Sequence, residues 1–134
     1  MLQKLLQTLC DSLSIPMPIL NPEKSYCLSF SDTISVSLSD LHPGIAMQAT
    51  MTACPRRRRE DLFIFLMRAN LLGQGTGGCR IGLSQNEKDL TLSLGLPYEL
   101  NYSIFREKFE DFVNYLVYWK EEVTKFEQES KPMF

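Results

Sequence analysis

LFIFLMRANLLGQGTGGCRIGLS, Leu62 to Ser84, carries an apolar helical pattern straight into four glycines within six residues, then into a short alternating strand. Gly73, Gly75 and Gly78 match the GxGxxG spacing of a dinucleotide fingerprint. The order of elements is reversed, however. The fingerprint needs a strand before the glycines and a helix after them, so that pyrophosphate meets a helix N-terminus. A helix that precedes the glycines presents unpaired carbonyls and the negative end of its dipole, which repel a phosphate. Nor is the run a P-loop, because Cys79 follows Gly78 where lysine is needed to reach the phosphates. The glycines read as a turn from helix to strand, with one of them supplying positive φ at the helix C-cap.

Residues 58–72, which lead into that turn, read as a helix that is apolar nearly all round, with Leu62, Phe63, Ile64, Phe65, Leu66, Met67, Leu71 and Leu72. A helix with no polar face is buried on both sides. A single-sheet domain of 134 residues has little to cover both. Leaving two or three such side chains in water forgoes about 1.5–3 kcal/mol each. A partner subunit over one face is the simplest solution, so this helix is the expected dimer interface.

After the turn, Ile81 and Leu83 predict a strand, and Leu90, Leu92, Leu94 and Leu96 a second one, joined in a hairpin and stopped by Pro97. Phe105, Phe109, Phe112, Leu116, Trp119, Val123 and Phe126 then form a strict 4-3 seam over three heptads, the mark of a long helix capped by Asn101 or Ser103. Before the glycine stretch, Leu2, Leu5, Leu6, Leu9 and Leu13 place one apolar stripe on a helix over residues 2–14, ended by Pro16 and Pro18. Three alternating strands follow: Tyr26-Leu28-Phe30, Ile34-Val36-Leu38, and Ile45-Met47-Ala49-Met51, with turns at Ser31-Asp32 and His42-Pro43-Gly44. The expected order is α-β-β-β-α-β-β-α. Hairpin-joined strands give an antiparallel sheet with helices packed on it, an α+β fold.

Length predicts one domain over residues 1–129, with a frayed tail from Ser130 to Phe134. Composition is that of an ordinary globular protein, and the formal net charge of -2 disfavours non-specific nucleic-acid binding. The N-terminus lacks the pattern of a signal peptide, and no apolar stretch approaches the ~18 residues of a membrane span. Cys10, Cys27, Cys54 and Cys79 are widely spaced, as expected of free thiols in a reducing cytosol.

Catalytic chemistry has little to build on. His42 is the one histidine, and its His-Pro-Gly setting reads as a surface turn. No His, Cys, Asp or Glu cluster has metal-ligand spacing, so no metal and no cofactor are expected. Glu107, Glu110, Asp111, Glu121 and Glu122 lie off the seam of the last helix and read as a solvated face. The one strong charge block is Arg56, Arg57, Arg58 and Arg59. It reads as a solvated segment before the helix or as a patch for an acidic partner. No aromatic residue interleaves it, so base stacking is not indicated.

The turn Leu66-Met67-Arg68-Ala69-Asn70-Leu71-Leu72-Gly73-Gln74-Gly75-Thr76-Gly77-Gly78, then Ile81-Gly82-Leu83, Leu90-Thr91-Leu92 and Tyr102 through Trp119, resembles the class I chaperones of bacterial type III secretion. The resemblance covers nearly the whole chain. It implies a small, dimeric, non-enzymatic protein of the bacterial cytoplasm that holds an extended N-terminal segment of a secreted effector. It places Leu62, Phe63, Leu66, Met67 and Asn70 in the dimer interface. It places Leu2, Leu5, Leu6 and Leu9, with the sheet positions Ile34 and Val36, in substrate grooves. Within the family the chain looks most like a bifunctional chlamydial member. That member pairs with a second small chaperone to serve the gatekeeper of the secretion channel and also binds RNA polymerase through its sigma subunit. The arginine block is unusual in so acidic a family. On a self-paired helix it would set like charges across a two-fold axis, which favours a heterodimer over a homodimer.

Overall fold

A computed structural model describes residues 1–30, 32–71 and 78–129. The elements are α1 (Leu2–Leu13), β1 (Ser25–Ser29), β2 (Ser35–Asp40), β3 (Ile45–Ala53), α2 (Arg59–Asn70), β4 (Arg80–Leu83), β5 (Asp89–Leu96) and α3 (Tyr102–Glu129). The order expected from the sequence is the one found. The five strands form one sheet in the order β1-β2-β3-β5-β4, and every neighbouring pair is antiparallel.

Strand alternation sorts the side chains into two faces. Leu28, Val36, Leu38, Ile45, Met47, Ala49, Leu90 and Leu92 are buried beneath the helices. The opposite face carries Ser35, Ser37, Gln48, Thr50, Thr91 and Ser93 and stays partly or fully in water. One dry face and one wet face is the usual state of an antiparallel sheet covered by a single helical layer. The seam of α3 supplies most of the cover, with Phe105, Phe109, Phe112, Leu116, Trp119 and Val123 buried. The Asn101 side chain caps this helix by accepting the Ile104 N–H at 2.9 Å, so Asn101 and not Ser103 sets its start.

The stripe of α1 packs into the same core: Leu2, Leu5, Leu6, Leu9 and Cys10 are buried, while Leu13 is exposed. The helix stops at Ser14, in the left-handed region at φ 56°. There the Ser14 N–H donates to Asp11 O and the Ile15 N–H to Cys10 O, a Schellman arrangement that closes the helix before Pro16 is reached.

The turn from β2 to β3 needs glycine at position 44. Gly44 has φ +103°, and a Cβ there would run into the Leu96 carbonyl oxygen and the Pro97–Tyr98 backbone. The glycine-rich stretch after α2 departs from expectation in one respect. The residue that ends α2 is Leu71, in extended conformation at φ -60°, ψ 118°, and not a glycine at positive φ. Gly78 does have φ +91°, at the entry to β4. Gly73, Gly75 and Gly77, Ser31 of the first expected turn, and the tail from Ser130 lie outside the described residues.

Candidate functional site

The apolar girdle of α2 is divided between two environments. Leu62, Leu66 and Ala69, spaced 4 and 3, point into the core. Ile64, Met67 and Leu71 point outward and are 51%, 70% and 65% exposed. Phe65 is less exposed, at 36%. Its ring stacks on Phe126 at 6.1 Å and meets the edge of Trp119 at 5.6 Å, tying α2 to the C-terminal half of α3. A helix apolar all round is therefore half satisfied within the chain. Its outer half faces water, as it would on a subunit awaiting a partner.

Next to that face lies the free edge of the sheet. β4 is four residues long and, among the described residues, pairs only with β5. A cavity of about 230 Å³ separates it from α2, lined by Phe63, Leu66, Met67, Asn70, Leu83 and Leu90 among others. Asn70 bridges the two elements. Its amide nitrogen donates to Ile81 O, and its amide oxygen accepts from Ile81 N–H, both at 2.8 Å. The side chain thus acts as one residue of a neighbouring strand and covers part of an edge that would otherwise invite pairing.

Of the five residues expected in the interface, Leu62 and Leu66 are core residues, at 0% and 4% exposure. Phe63 is half-buried, Asn70 is committed to Ile81, and Met67 is fully available. Ile64, Leu71 and Leu83 complete the exposed apolar surface; the sequence places the first two in the apolar helix and the third in a strand, but none of them in the five-residue interface set. For Ile64 and Leu71 the helical spacing carries the signal but does not orient it, and Leu83 is marked only by strand alternation.

The expected substrate-groove residues need a larger correction. Leu2, Leu5, Leu6, Leu9 and Val36 are buried in the chain's own core and present no surface to a bound segment. An amphipathic stripe has the same appearance whether its cover is the sheet beneath or a guest peptide, and here the sheet takes it. Ile34 lies at a surface cavity of about 470 Å³ that also includes Met51, Leu116 and Val117.

The arginine block divides in two. Arg58, in the left-handed region at φ 53°, caps the start of α2 and places its Nε 3.1 Å from Asp61. Its guanidinium lies 4.9 Å from the centre of the Phe126 ring. Arg59 donates to the Glu87 carbonyl at 3.0 Å. Arg56 and Arg57 remain exposed, beside a cavity shared with Glu127. Glu60 and Asp61 occupy the first turn of α2, where their charge favours the dipole and offsets the arginines.

Nothing in the described residues assembles a reaction centre. His42 is exposed in its turn, with Nδ1 3.5 Å from an Asp40 oxygen. Cys27 is exposed, whereas Cys10, Cys54 and Cys79 are buried free thiols. Burial, reinforced by the charge of Asp111, pushes the Cys79 thiol up to about 11, the opposite of nucleophile activation. Glu107, Glu110, Asp111 and Glu121 are exposed, and the half-buried Glu122 pairs with Lys125 at 3.5 Å. Among the described residues no group of His, Cys, Asp and Glu could hold a metal ion, and no helix is long and apolar enough to cross a membrane.

Comparison with known proteins agrees with this architecture. The model of the Tir chaperone protein (CesT) family matches residues 4–120. No curated protein sequence matches the chain. Among solved structures, a chain of the ExsC–ExsE complex superposes with a TM-score of 0.75 at 15% identity, covering 90% of this chain and 91% of that one. A chain of the HopA1–SchA chaperone–effector complex gives 0.68 at 13%, covering 90% and 93%. The Yersinia pestis type III secretion chaperone SycH, in complex with a fragment of YscM2, gives 0.67 at 13%, covering 87% and 98%. At such identities the likeness is one of fold.

Proposed function

We propose, from the premise that this chain belongs to the Tir chaperone protein (CesT) family of type III secretion chaperones, that it is the non-enzymatic half of a heterodimer that holds the N-terminal segment of a secreted protein. The outer face of α2, with Ile64, Met67 and Leu71 exposed beside the apolar cleft of β4, carries this reading. Burying three such side chains against a second subunit contributes about 1.5–3 kcal/mol each before the costs of association. The partner in this reading is a second small chaperone, and the cargo is the gatekeeper of the secretion channel. Solved relatives in complex with effectors support the general form of the assignment. Co-expression of the chain with a second small type III secretion chaperone and the gatekeeper protein of the same secretion system tests the proposal. A stable three-chain complex is expected. Recovery of the chain free of both proteins sinks it.

A second activity, binding of RNA polymerase through its sigma subunit, is favoured by one observation. Arg56 and Arg57 stay exposed while Arg58 and Arg59 are engaged within the fold. Two uncommitted guanidiniums suit an acidic protein surface better than a nucleic acid, given the net charge of -2. Replacing Arg56 and Arg57 with alanine should weaken polymerase capture and leave the remaining binding less sensitive to salt. Unchanged capture removes this role from the patch.

A further inference from the structure

The sheet is split between β2 and β3. Leu41 N–H donates to Gly44 O at the β2–β3 turn, and hydrogen-bonding positions recur every second residue from there, at Ser39/Ala46 and Ser37/Gln48. The next such pair is Ser35 and Thr50. Both residues sit within strands, yet the pairing of β2 with β3 stops at Ser37 and Gln48. Beyond that point, among the described residues, β2 pairs only with β1, and β3 only with β5. The register of β3 on β5 shifts at this same place, between Thr50 and Thr52. A bulge of this kind bends a strand and re-aims its side chains.

Two cavities open at the split, and Thr33, Thr50 and Met51 belong to both. One, of about 470 Å³, lies on the helix side and includes Ile34, Met51, Leu116 and Val117, with Lys120, Glu121 and Lys125 also in its walls. The other, of about 440 Å³, includes Cys27, Ser35, Ser37 and Gln48 of the polar face. An extended peptide points alternate side chains to opposite faces. The split therefore offers two strand edges for a guest backbone, an apolar recess for one set of its side chains and a hydroxyl-lined recess for the other. The strand residues at the two edges, Ser35 and Thr50, are small enough to let a backbone approach.

We propose that this split receives an extended segment of a partner chain, pairing along the β3 edge at Thr50 and alternating apolar with small polar side chains. The proposal rests on the chaperone reading and deepens it by assigning a place and a pattern to the held segment. It also accounts for Ile34, an expected groove residue that reaches a surface cavity.

The probe is a short fluorescein-labelled peptide of alternating leucine and serine, compared by anisotropy with a block-ordered peptide of the same composition. In a Cys27→Ser background, Ser35→Cys with Thr50→Cys gives a staple that closes the split on oxidation, since a disulfide holds Cα atoms about 4.4–6.8 Å apart. The alternating peptide should bind better than the block peptide. Oxidation should weaken it at least about tenfold, the equivalent of one leucine left unburied, and reduction should restore it. Ile34→Asp, at a half-exposed position, should cause a comparable loss without the staple. Equal binding of the two peptides, binding indifferent to oxidation, or an Ile34→Asp effect below about twofold overturns the proposal. A mass increase that the staple abolishes would instead assign the split to a second copy of this chain, and also overturns it. Persistence of the three-chain complex with the staple closed sinks the split while leaving the chaperone reading intact. Failure of that complex in every form sinks the chaperone reading.

Discussion

Asn70→Ala removes the two hydrogen bonds that join the end of α2 to the edge strand. Both are 2.8 Å long and partly buried, and both end on Ile81. A neutral hydrogen bond of this kind contributes about 0.5–1.5 kcal/mol net. The pair is therefore worth about 1–3 kcal/mol, with the upper half of that range expected because both Ile81 backbone groups lose their partner together. Water can reach an edge strand and recover part of the loss, so the value should not exceed that range. Urea unfolding at fixed protein concentration is the assay, because any subunit association shifts apparent stability by mass action. With a urea slope of about 1–3 kcal/mol per molar, the midpoint should fall by roughly 1 M. Asn70→Asp keeps the acceptor for Ile81 N–H but sets a carboxylate against the Ile81 carbonyl, and should be no better than alanine. A midpoint for Asn70→Ala within about 0.2 M of the parent would refute the idea that this amide holds β4 to α2.

Gly44→Ala should destabilise by about 2–5 kcal/mol, since the φ of +103° strains any L side chain and the new Cβ meets backbone atoms of Leu96, Pro97 and Tyr98; a thermal midpoint within a few degrees of the parent would contradict it. Iodoacetamide on the native protein should label Cys27 rapidly and Cys10, Cys54 and Cys79 only on unfolding, with mass spectrometry as the readout. The raised Cys79 thiol has a pH consequence: the unfolded chain loses this proton near its ordinary 9.0, the folded chain only at about 11. Its contribution to stability is therefore complete below pH 9.0 and is lost as pH rises towards about 11. Cys79→Ala should flatten that decline, and a decline of unchanged slope would assign it to other groups.

The parts of the fold legible in the sequence are those where one periodicity had one possible cover. The 4-3 seam from Phe105 to Phe126 could only be a long helix on the core, and Phe105 through Val123 are buried as that seam demands. The strands β2, β3 and β5 alternate cleanly, and Val36, Met47 and Leu92 are accordingly inside. Legibility failed where one pattern had two possible partners. The stripe Leu2-Leu5-Leu6-Leu9 suits a guest peptide as well as it suits the sheet, and sequence spacing contains no term for which arrives first. On α2 the apolar residues run all round, so spacing could not say that Leu62 and Leu66 turn inward while Ile64 and Met67 turn out.

Other features left no local trace at all. Arg58 and Arg59 look like Arg56 and Arg57 in a run of four, and only the tertiary positions of Phe126 and Glu87 distinguish them. Alternation continues through Ser35 and Thr50, although pairing between their strands has stopped. A strand's pattern reports burial of its faces, not occupancy of its edges.

The central claim is that the outer face of α2 is a subunit interface. Light scattering coupled to size exclusion, run on the chain and on its Ile64→Glu, Met67→Glu double variant, addresses it directly. The parent chain, expressed alone, should self-associate or aggregate. The double variant should run as a 15.4 kDa monomer with an unchanged circular dichroism spectrum and should no longer pair with the second chaperone. A parent chain that is a clean, stable 15.4 kDa monomer, or a double variant that pairs as the parent does, contradicts it.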